Sequence, residues 1–472
     1  MELTSTPLEE LPQRLAVLRA QAERAPRSYA ERREDLYDLR AALKLNLPEL
    51  CRAMDADFGS RSRHESLITD GMTVLSEIDH LIHNLKKWMR PRRRRISPLF
   101  WPARAEVRYQ ALGVVGVISP WNYPVNLALV PLATALAAGN AVYLKPSEHT
   151  PRTSLALRDL LRSVFPRSRV EIALGGADVA AAFAGLPFDH LFFTGSTAVG
   201  RKVMAAAAPN LTPVTLELGG KSPVIVAPGY PIERAAERIA SGKFINAGQT
   251  CIAPDYLLVP KEAVEPLVAA LKREAQARYP DLAMGSDYTR IINRAQYERL
   301  RDWREEARAR GAQVLPLIEV EDELADTQRL IAPTVVLDAP EDCALMQEEI
   351  FGPLLPILPY GHFEEALAYV KRRDRPLALY LFDHDSARIE KLLENTIAGS
   401  VAINDTVLQF AQNNLPFGGV GPSGMGSYHG EAGFRTFSKD KPVFRQARWS
   451  GMSLFKPPYR GLADRLVRFL TR

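Results

Sequence analysis

Leu112-Gly113-Val114-Val115-Gly116-Val117-Ile118 is a near-continuous apolar run that empties into Ser119-Pro120-Trp121-Asn122-Tyr123-Pro124. A strand with no polar alternation is buried on both faces, as in a parallel sheet covered by helices. Similar runs follow at 141–144, 170–174 and 190–193. Between them, residues 125–138, 154–165 and 177–183 carry helical patterns. Strand-helix alternation of this kind predicts a doubly wound α/β sheet, whose ligand belongs at the carboxyl ends of the strands. Functional-looking residues stand there. The second run ends in Lys145-Pro146-Ser147-Glu148, and the fourth in Thr194-Gly195-Ser196-Thr197-Ala198-Val199-Gly200, followed by a helix expected over 201–208.

Residues 8–90 read as helices, with Leu11, Leu15 and Leu18, then Leu36, Leu39 and Leu43, at helical spacing. Residues 105–111 alternate like an exposed strand. A second half begins near Glu217-Leu218-Gly219-Gly220-Lys221-Ser222-Pro223 and alternates again. Strands are expected at 223–226, 256–259, 332–337 and 377–382, with helices at 232–240, 263–277, 363–372 and 386–395. Residues 288–310 read as a charged helix, and 316–328 as an acidic surface loop.

At 472 residues, the chain exceeds the size of one core, so two or more domains are expected. Its three cysteines are widely spaced, which argues against a disulfide framework or zinc ribbon and favours a reducing compartment. The net charge of +5 is mild and partly local to Arg90-Pro91-Arg92-Arg93-Arg94-Arg95, read as a solvated turn or a contact for an acidic surface. No signal peptide or membrane span is expected. His80 and His83 lack a third ligand at metal spacing.

Gly248-Gln249-Thr250-Cys251-Ile252-Ala253-Pro254-Asp255 places a thiol among small and polar neighbours. Such a cysteine is either a small buried hydrophobe or a nucleophile, which must reach the thiolate form. Glu217, before a Gly pair at a strand end, suits a general base, and Asn122 suits a side-chain donor to an oxyanion; either could also be a solvated loop residue. Gly195, Ser196 and Gly200 stand where a helix start could receive a pyrophosphate. Lys145 and Glu148 could hold ribose hydroxyls. Gly419-Val420-Gly421-Pro422-Ser423-Gly424 also fits the dinucleotide fingerprint, but it lacks a flanking strand and helix and is rejected.

Pro-Trp-Asn, Lys-Pro-Ser-Glu, Phe-Thr-Gly-Ser-Thr, Glu-Leu-Gly-Gly-Lys-Ser-Pro, Gly-Gln-Thr-Cys and Glu-Glu-Ile-Phe-Gly-Pro occur here in the order and spacing of the aldehyde dehydrogenase superfamily, which the chain resembles over nearly its whole length. The stretch 416–430 is similar to the class-3 branch, which includes fatty, aromatic and coniferyl aldehyde dehydrogenases. The resemblance implies Cys251 as nucleophile, Glu217 as base, and Asn122 with the Cys251 amide as oxyanion hole. It implies cofactor contacts at Trp121, Lys145, Glu148, Gly195, Ser196 and Gly200, with Glu349 and Phe351 at the nicotinamide ribose and ring. Asn404 is given only a structural role, and no metal is implied.

The expected architecture is an aldehyde-dehydrogenase-like α/β fold. A doubly wound dinucleotide domain takes residues 1–97 and 112–216, an α/β catalytic domain takes 217–402, and a small bridging β element takes 98–111 and 403–446. A tail at 447–472 carries a short amphipathic helix, which either caps the substrate tunnel or touches membrane. The expected activity is oxidation of a hydrophobic aldehyde with NAD, NADP being tolerated, by a cytoplasmic homodimer with no nucleic-acid partner. The alternatives are a cysteine ester or thioester hydrolase, and a non-catalytic dinucleotide-binding scaffold.

Overall fold

The computed structural model describes residues 5–455, 457, 459 and 461–471. In chain order the strands are β1 (Arg92–Arg94), β2 (Arg104–Ala111), β3 (Val114–Ile118), β4 (Ala141–Lys145), β5 (Val170–Ile172), β6 (His190–Thr194), β7 (Val214–Glu217), β8 (Pro223–Val226), β9 (Tyr256–Pro260), β10 (Gln313–Pro316), β11 (Thr334–Leu337), β12 (Leu354–Tyr360), β13 (Ala378–Phe382), β14 (Ser400–Ile403), β15 (Gly424–Met425) and β16 (Ser438–Arg445). They form three sheets, ordered β15-β7-β6-β3-β4-β5, β10-β11-β12-β9-β8-β13-β14, and β1-β2-β16.

In the first sheet β3 to β7 are parallel, and every residue of β3, β4 and β6 is buried, as continuous apolar runs demand. The helix Asn126–Ala138 behind it is buried on all sides because its sequence is apolar all round. Strand order reverses at β3, which lies between β6 and β4, so the crevice of this sheet opens beyond the carboxyl ends of β3 and β6. The second sheet is parallel except for its edge strand β10.

Several expectations need correction. The acidic stretch 316–328 is not a loop: β10 pairs antiparallel with β11, and Asp322–Gln328 is a helix. None of that helix is buried, so it lacks an apolar stripe, while Asp322 and Glu323 suit the positive end of its dipole. The charged helix spans Arg294–Ala309, because Asn293 caps it by accepting from the Gln296 amide; Tyr288 and Ile291 before it are buried. The helix after Gly195 begins at Thr197 rather than 201, with Ser196 as its N-cap.

The Arg90–Arg95 run is not a free turn. Arg92–Arg94 pair with β2, and Arg92 forms an ion pair with Glu431 and lies over the Tyr109 ring. Thus part of 1–97 joins the bridging sheet. Of 403–446, only Ser438–Arg445 does so. Gly424–Met425 pair with β7 instead, and the helix Gly430–Thr436 packs on the helices Thr73–Trp88 and Asn126–Ala138. Among the described residues no helix is long and apolar enough to cross a membrane. Pro458, Arg460 and Arg472, part of the expected tail pattern, lie outside the described residues.

Candidate active site

Cys251 follows a backbone that turns sharply. After the helix Ile232–Phe244, Asn246, Ala247 and Gly248 all take positive φ (52°, 50° and 73°). A Cβ on Gly248 would run into the Gly352 carbonyl, so only glycine closes this approach. Gln249, fully buried, stiffens the turn: Nε2 donates to the carbonyls of Asn246 (3.0 Å) and Arg290 (3.1 Å), and Oε1 accepts from the Ile292 amide (3.0 Å).

Asn122 arrives from the β3 end, and its Nδ2 donates to the Gln249 carbonyl at 3.1 Å. Tyr123 and Thr250 share a hydrogen bond of 2.6 Å between hydroxyls. The first sheet's crevice therefore opens onto the cysteine loop. Glu217, at the end of β7, is 3% exposed, yet neither carboxylate oxygen has a partner. Its carbonyl accepts from the Gly195 amide at 3.0 Å, which ties the candidate base to the start of the glycine loop.

Glu349 closes the far side. Its carboxyl lies against Gly219, where any Cβ would collide with it, and it accepts from the Gly220 amide. Lys221 and Asp255 hold its segment. They form an ion pair; Lys221 Nζ donates to the Glu348 carbonyl (2.8 Å), and Asp255 accepts from the Ile350 amide (2.9 Å). Phe351, with φ 49°, meets Trp121 edge to face at 5.3 Å.

Burial dominates the electrostatics. It holds Glu217 well above the carboxylate range. Glu349 is pushed up to about 8 by burial and then by Asp255, against the opposing effects of the Gly220 amide, Lys221 and Arg299. Cys251 is pushed up to about 12 by burial and then by Glu349 and Glu217. The resting Cys251 thiol is thus protonated at pH 7 and the Glu349 carboxyl largely so, and burial favours the neutral form of Glu217 as well.

Lys145 and Glu148 sit one strand away, apart from the thiol. Buried Lys145 donates to Glu148 at 3.1 Å and to the Pro146 carbonyl at 3.0 Å. Burial lowers the lysine's pKa, partly offset by Glu148; burial works against ionised Glu148, but Lys145, the Glu148 amide and His149 together hold the carboxyl below its usual range. A Cβ on Gly200 would come within 2.6 Å of Leu218, so this glycine lets the helix Thr197–Ala207 pack close behind the crevice. Besides Glu217 and Glu349, buried Thr194 Oγ1 lacks a partner, so polar atoms face this crevice in want of a ligand. The arrangement fits a dinucleotide laid across the end of β6.

The rejected fingerprint at 419–424 lies in a loop: β15 turns back antiparallel on β7, and no helix follows directly. Asn404 has φ 61° and bonds both the amide (2.8 Å) and carbonyl (2.7 Å) of Asp383, a structural arrangement. Cys51 and Cys343 are buried. Among the described residues no cluster could hold a metal. Arg61, Glu65, Asp70 and Asn246, which turn out to line this site's supports, gave no signal in the sequence. Lys221 and Asp255 were within reach, since both stand in quoted motifs.

Fold and crevice define an α/β dinucleotide enzyme with a cysteine at the mouth of its cofactor sheet. A family model described as "Aldehyde dehydrogenase family" matches residues 15–443. The chain belongs to the aldehyde dehydrogenase family and is an NAD(P)-dependent aldehyde dehydrogenase. A probable coniferyl aldehyde dehydrogenase of Pseudomonas aeruginosa is 52% identical over 418 residues, covering 89% of this chain and 87% of that protein. A coniferyl aldehyde dehydrogenase of a Pseudomonas species is 45% identical over 430 residues, covering 91% and 89%. Among solved structures, the substrate-bound state of Staphylococcus aureus AldH superimposes with a TM-score of 0.93 at 35% identity, covering 99% of this chain and all of that one.

Proposed function

We propose that this enzyme oxidises hydrophobic aldehydes, cinnamyl-type aldehydes first among them, to carboxylic acids through Cys251. The observation that carries the mechanism is the Asn122–Gln249 hydrogen bond, which holds an amide donor against the loop of a partly buried thiol. The named activity of the Pseudomonas relatives supports the substrate. So do partly buried Val407 and Phe410, in a loop tied toward the cysteine because Gln409 donates to the Tyr380 hydroxyl (3.1 Å), which donates to the Ile252 carbonyl (2.6 Å).

The Cys251 thiol gives up its proton to solvent, and the thiolate attacks the aldehyde carbon. The developing oxyanion is received by the Cys251 amide and by Asn122 Nδ2, through the hydrogen that Nδ2 does not give to Gln249. One such donor is worth about 3 kcal/mol in the transition state. An oxidised nicotinamide held in this crevice would supply the hydride acceptor; the chain's own part is to hold the substrate carbon on Cys251, first as a thiohemiacetal and then as a thioester. Glu217, once ionised, then takes a proton from water, which attacks the thioester and releases the acid and the thiolate. Lys145 and Glu148 would hold the adenosine ribose, Gly195, Ser196 and Gly200 the pyrophosphate, Trp121 and Phe351 the nicotinamide ring, and Glu349 the nicotinamide ribose. NAD is the preferred cofactor, because the Glu148 carboxylate repels a 2′-phosphate.

We further infer a cytoplasmic homodimer. The domain limits follow the sheets, with β2 and β16 as the bridging arm. The eight-residue edge strand β16 is unpaired along one side among the described residues, with exposed Phe444 on it, exposed Trp449 just after it in the chain and exposed Trp101 just before its neighbour β2. A second copy that adds strands there removes an edge prone to aggregation. A turnover panel of cinnamyl, benzylic and long-chain aldehydes with NAD tests the main reading. Cinnamyl aldehydes should show the highest kcat/KM, and absence of NADH formation with all three classes overturns it.

A further inference from the structure

Outside the reacting groups, a buried ionic cluster touches both halves of the site. Arg61 has no exposed side-chain surface and lies between the rings of Phe58 (4.8 Å) and Tyr123 (5.3 Å). Its Nη1 donates to the Asn122 carbonyl at 3.0 Å, and its Nη2 to Asp70 at 2.9 Å. Asp70, on the π-helical stretch Leu67–Met72, accepts from the amides of Val125 (3.1 Å) and Asn126 (3.0 Å). The turn 122–126 is thus held at both ends. Wide π turns often sit where function needs a side chain re-aimed.

The same segment grips the cysteine loop. Glu65 accepts from the Asn246 amide and from Thr289 Oγ1 (3.0 Å), and its carboxylate stands 3.9 Å from Arg61. Asn246 Nδ2 then donates to the same Asn122 carbonyl (2.9 Å) and to the Gln249 carbonyl (3.2 Å). The Ser60 carbonyl accepts from the Arg290 amide at 3.0 Å, and the Arg290 carbonyl accepts from Gln249. A guanidinium is suited to this, since its planar fork reaches a carbonyl and a carboxylate at once, which an ammonium cannot do in one geometry.

We propose that Arg61, Glu65 and Asp70 form a clamp of positioning residues that sets the Asn122 amide in register with the Cys251 amide, so that the oxyanion hole is assembled before substrate arrives. The inference rests on the reading of Asn122 as an oxyanion donor. A donor displaced by about 1 Å can cost on the order of 100-fold in rate, whereas the cofactor groups on the adjoining strands β4 and β6 are left in place.

The test is a double-mutant cycle on the full-length enzyme with Arg61→Met and Asn122→Ala, measuring kcat, aldehyde KM, NAD affinity and ester hydrolysis. Arg61→Met should lower kcat about 10- to 100-fold and ester hydrolysis in parallel, with KM and NAD affinity changed less than about 3-fold. In the Asn122→Ala background the same change should cost less than about 3-fold. A full, multiplicative loss in that background overturns the clamp, as does a loss confined to KM or NAD affinity. Asn122→Ala alone decides the parent reading: near wild-type kcat overturns the oxyanion role itself. Should Arg61→Met not fold, Asp70→Asn serves, since its remaining oxygen still accepts the two amides while Arg61 loses its charge partner. It should then show the same non-additivity with Asn122→Ala.

Discussion

Asn122 reaches across from the cofactor sheet to the carbonyl of Gln249, two residues before Cys251, at 3.1 Å. This one hydrogen bond joins the end of β3 to the cysteine loop, two stretches 127 residues apart. It fixes the Asn122 side chain through one amide hydrogen and leaves the second for the oxyanion role proposed above.

Cys251→Ala should abolish both aldehyde oxidation and ester hydrolysis while NAD still binds. The remaining groups position substrate but offer no covalent route. Activity is expected to drop below about a thousandth of wild type. Steady-state kinetics with a binding titration measure this, and residual oxidation above that level would move the nucleophile elsewhere.

Glu217→Gln should allow one hydride transfer and then stall at the thioester. Burial keeps Glu217 protonated well above its ordinary range, so wild-type deacylation should rise with pH as the base form appears. Rapid-mixing kinetics should show an NADH burst of normal amplitude in the variant, followed by a steady state lower by about 100-fold or more, within the range of a lost general base. Loss of the burst would instead assign Glu217 to activation of the thiol.

The positions of these groups were legible because each punctuates the end of a run. Lys145 closes an apolar strand, Gly195 follows another, and Glu217 precedes a glycine pair. Arg61 was not legible: it stands in Ser60-Arg61-Ser62-Arg63, which reads as a polar surface segment, and its meaning comes from contacts with Asp70 and distant Asn122. Strand β12 was missed for a local reason. Pro356 and Pro359 lie within it, and proline usually argues against an interior strand, yet β12 runs between β11 and β9.

Stability should fall as pH rises from about 4.5 to 8 in part through Glu349. Its folded pKa of about 8 exceeds the ordinary 4.5, so the folded state binds the proton more tightly, and that advantage is lost as pH rises toward the folded value. Glu349→Gln removes the titration. The Tm difference, variant minus wild type, should therefore be more positive at pH 9 than at pH 5, by about 2 °C or more. A pH-independent difference would mean that the carboxyl ionises without cost.

Cofactor choice should turn on Glu148. Its ion pair with Lys145 keeps the carboxylate charged below its usual pKa, where it can accept ribose hydroxyls and repel a 2′-phosphate. Wild type should favour NAD, and Glu148→Gln should raise the NADP to NAD ratio of kcat/KM by about 10-fold, equivalent to about 1.4 kcal/mol. A wild-type preference for NADP would overturn the assignment and point to other cations near the ribose.

The C-terminal helix Gly461–Leu470 poses the last question. Ala463 is buried, whereas Leu462, Val467, Phe469 and Leu470 are exposed, Phe469 at 76%. Arg465 and Arg468 accompany them, and the preceding short helix Gly451–Phe455 packs near Pro98–Phe100, close in sequence to the Arg92–Arg94 strand. Ten residues cannot span a bilayer, but an exposed apolar face beside arginines suits the surface of an anionic one. We propose peripheral membrane contact, which would serve an enzyme taking lipophilic aldehydes from lipid. Full-length protein should co-sediment with phosphatidylserine-containing vesicles more than with phosphatidylcholine alone. Both a 1–456 truncation and Phe469→Ser should weaken this, the truncation more, because each juxtamembrane arginine adds about 1 kcal/mol of attraction. Equal, negligible sedimentation of full-length and truncated protein would remove the membrane reading. A raised KM for long-chain aldehydes after truncation, with short ones unchanged and no vesicles present, would instead make the helix a cap on the substrate tunnel.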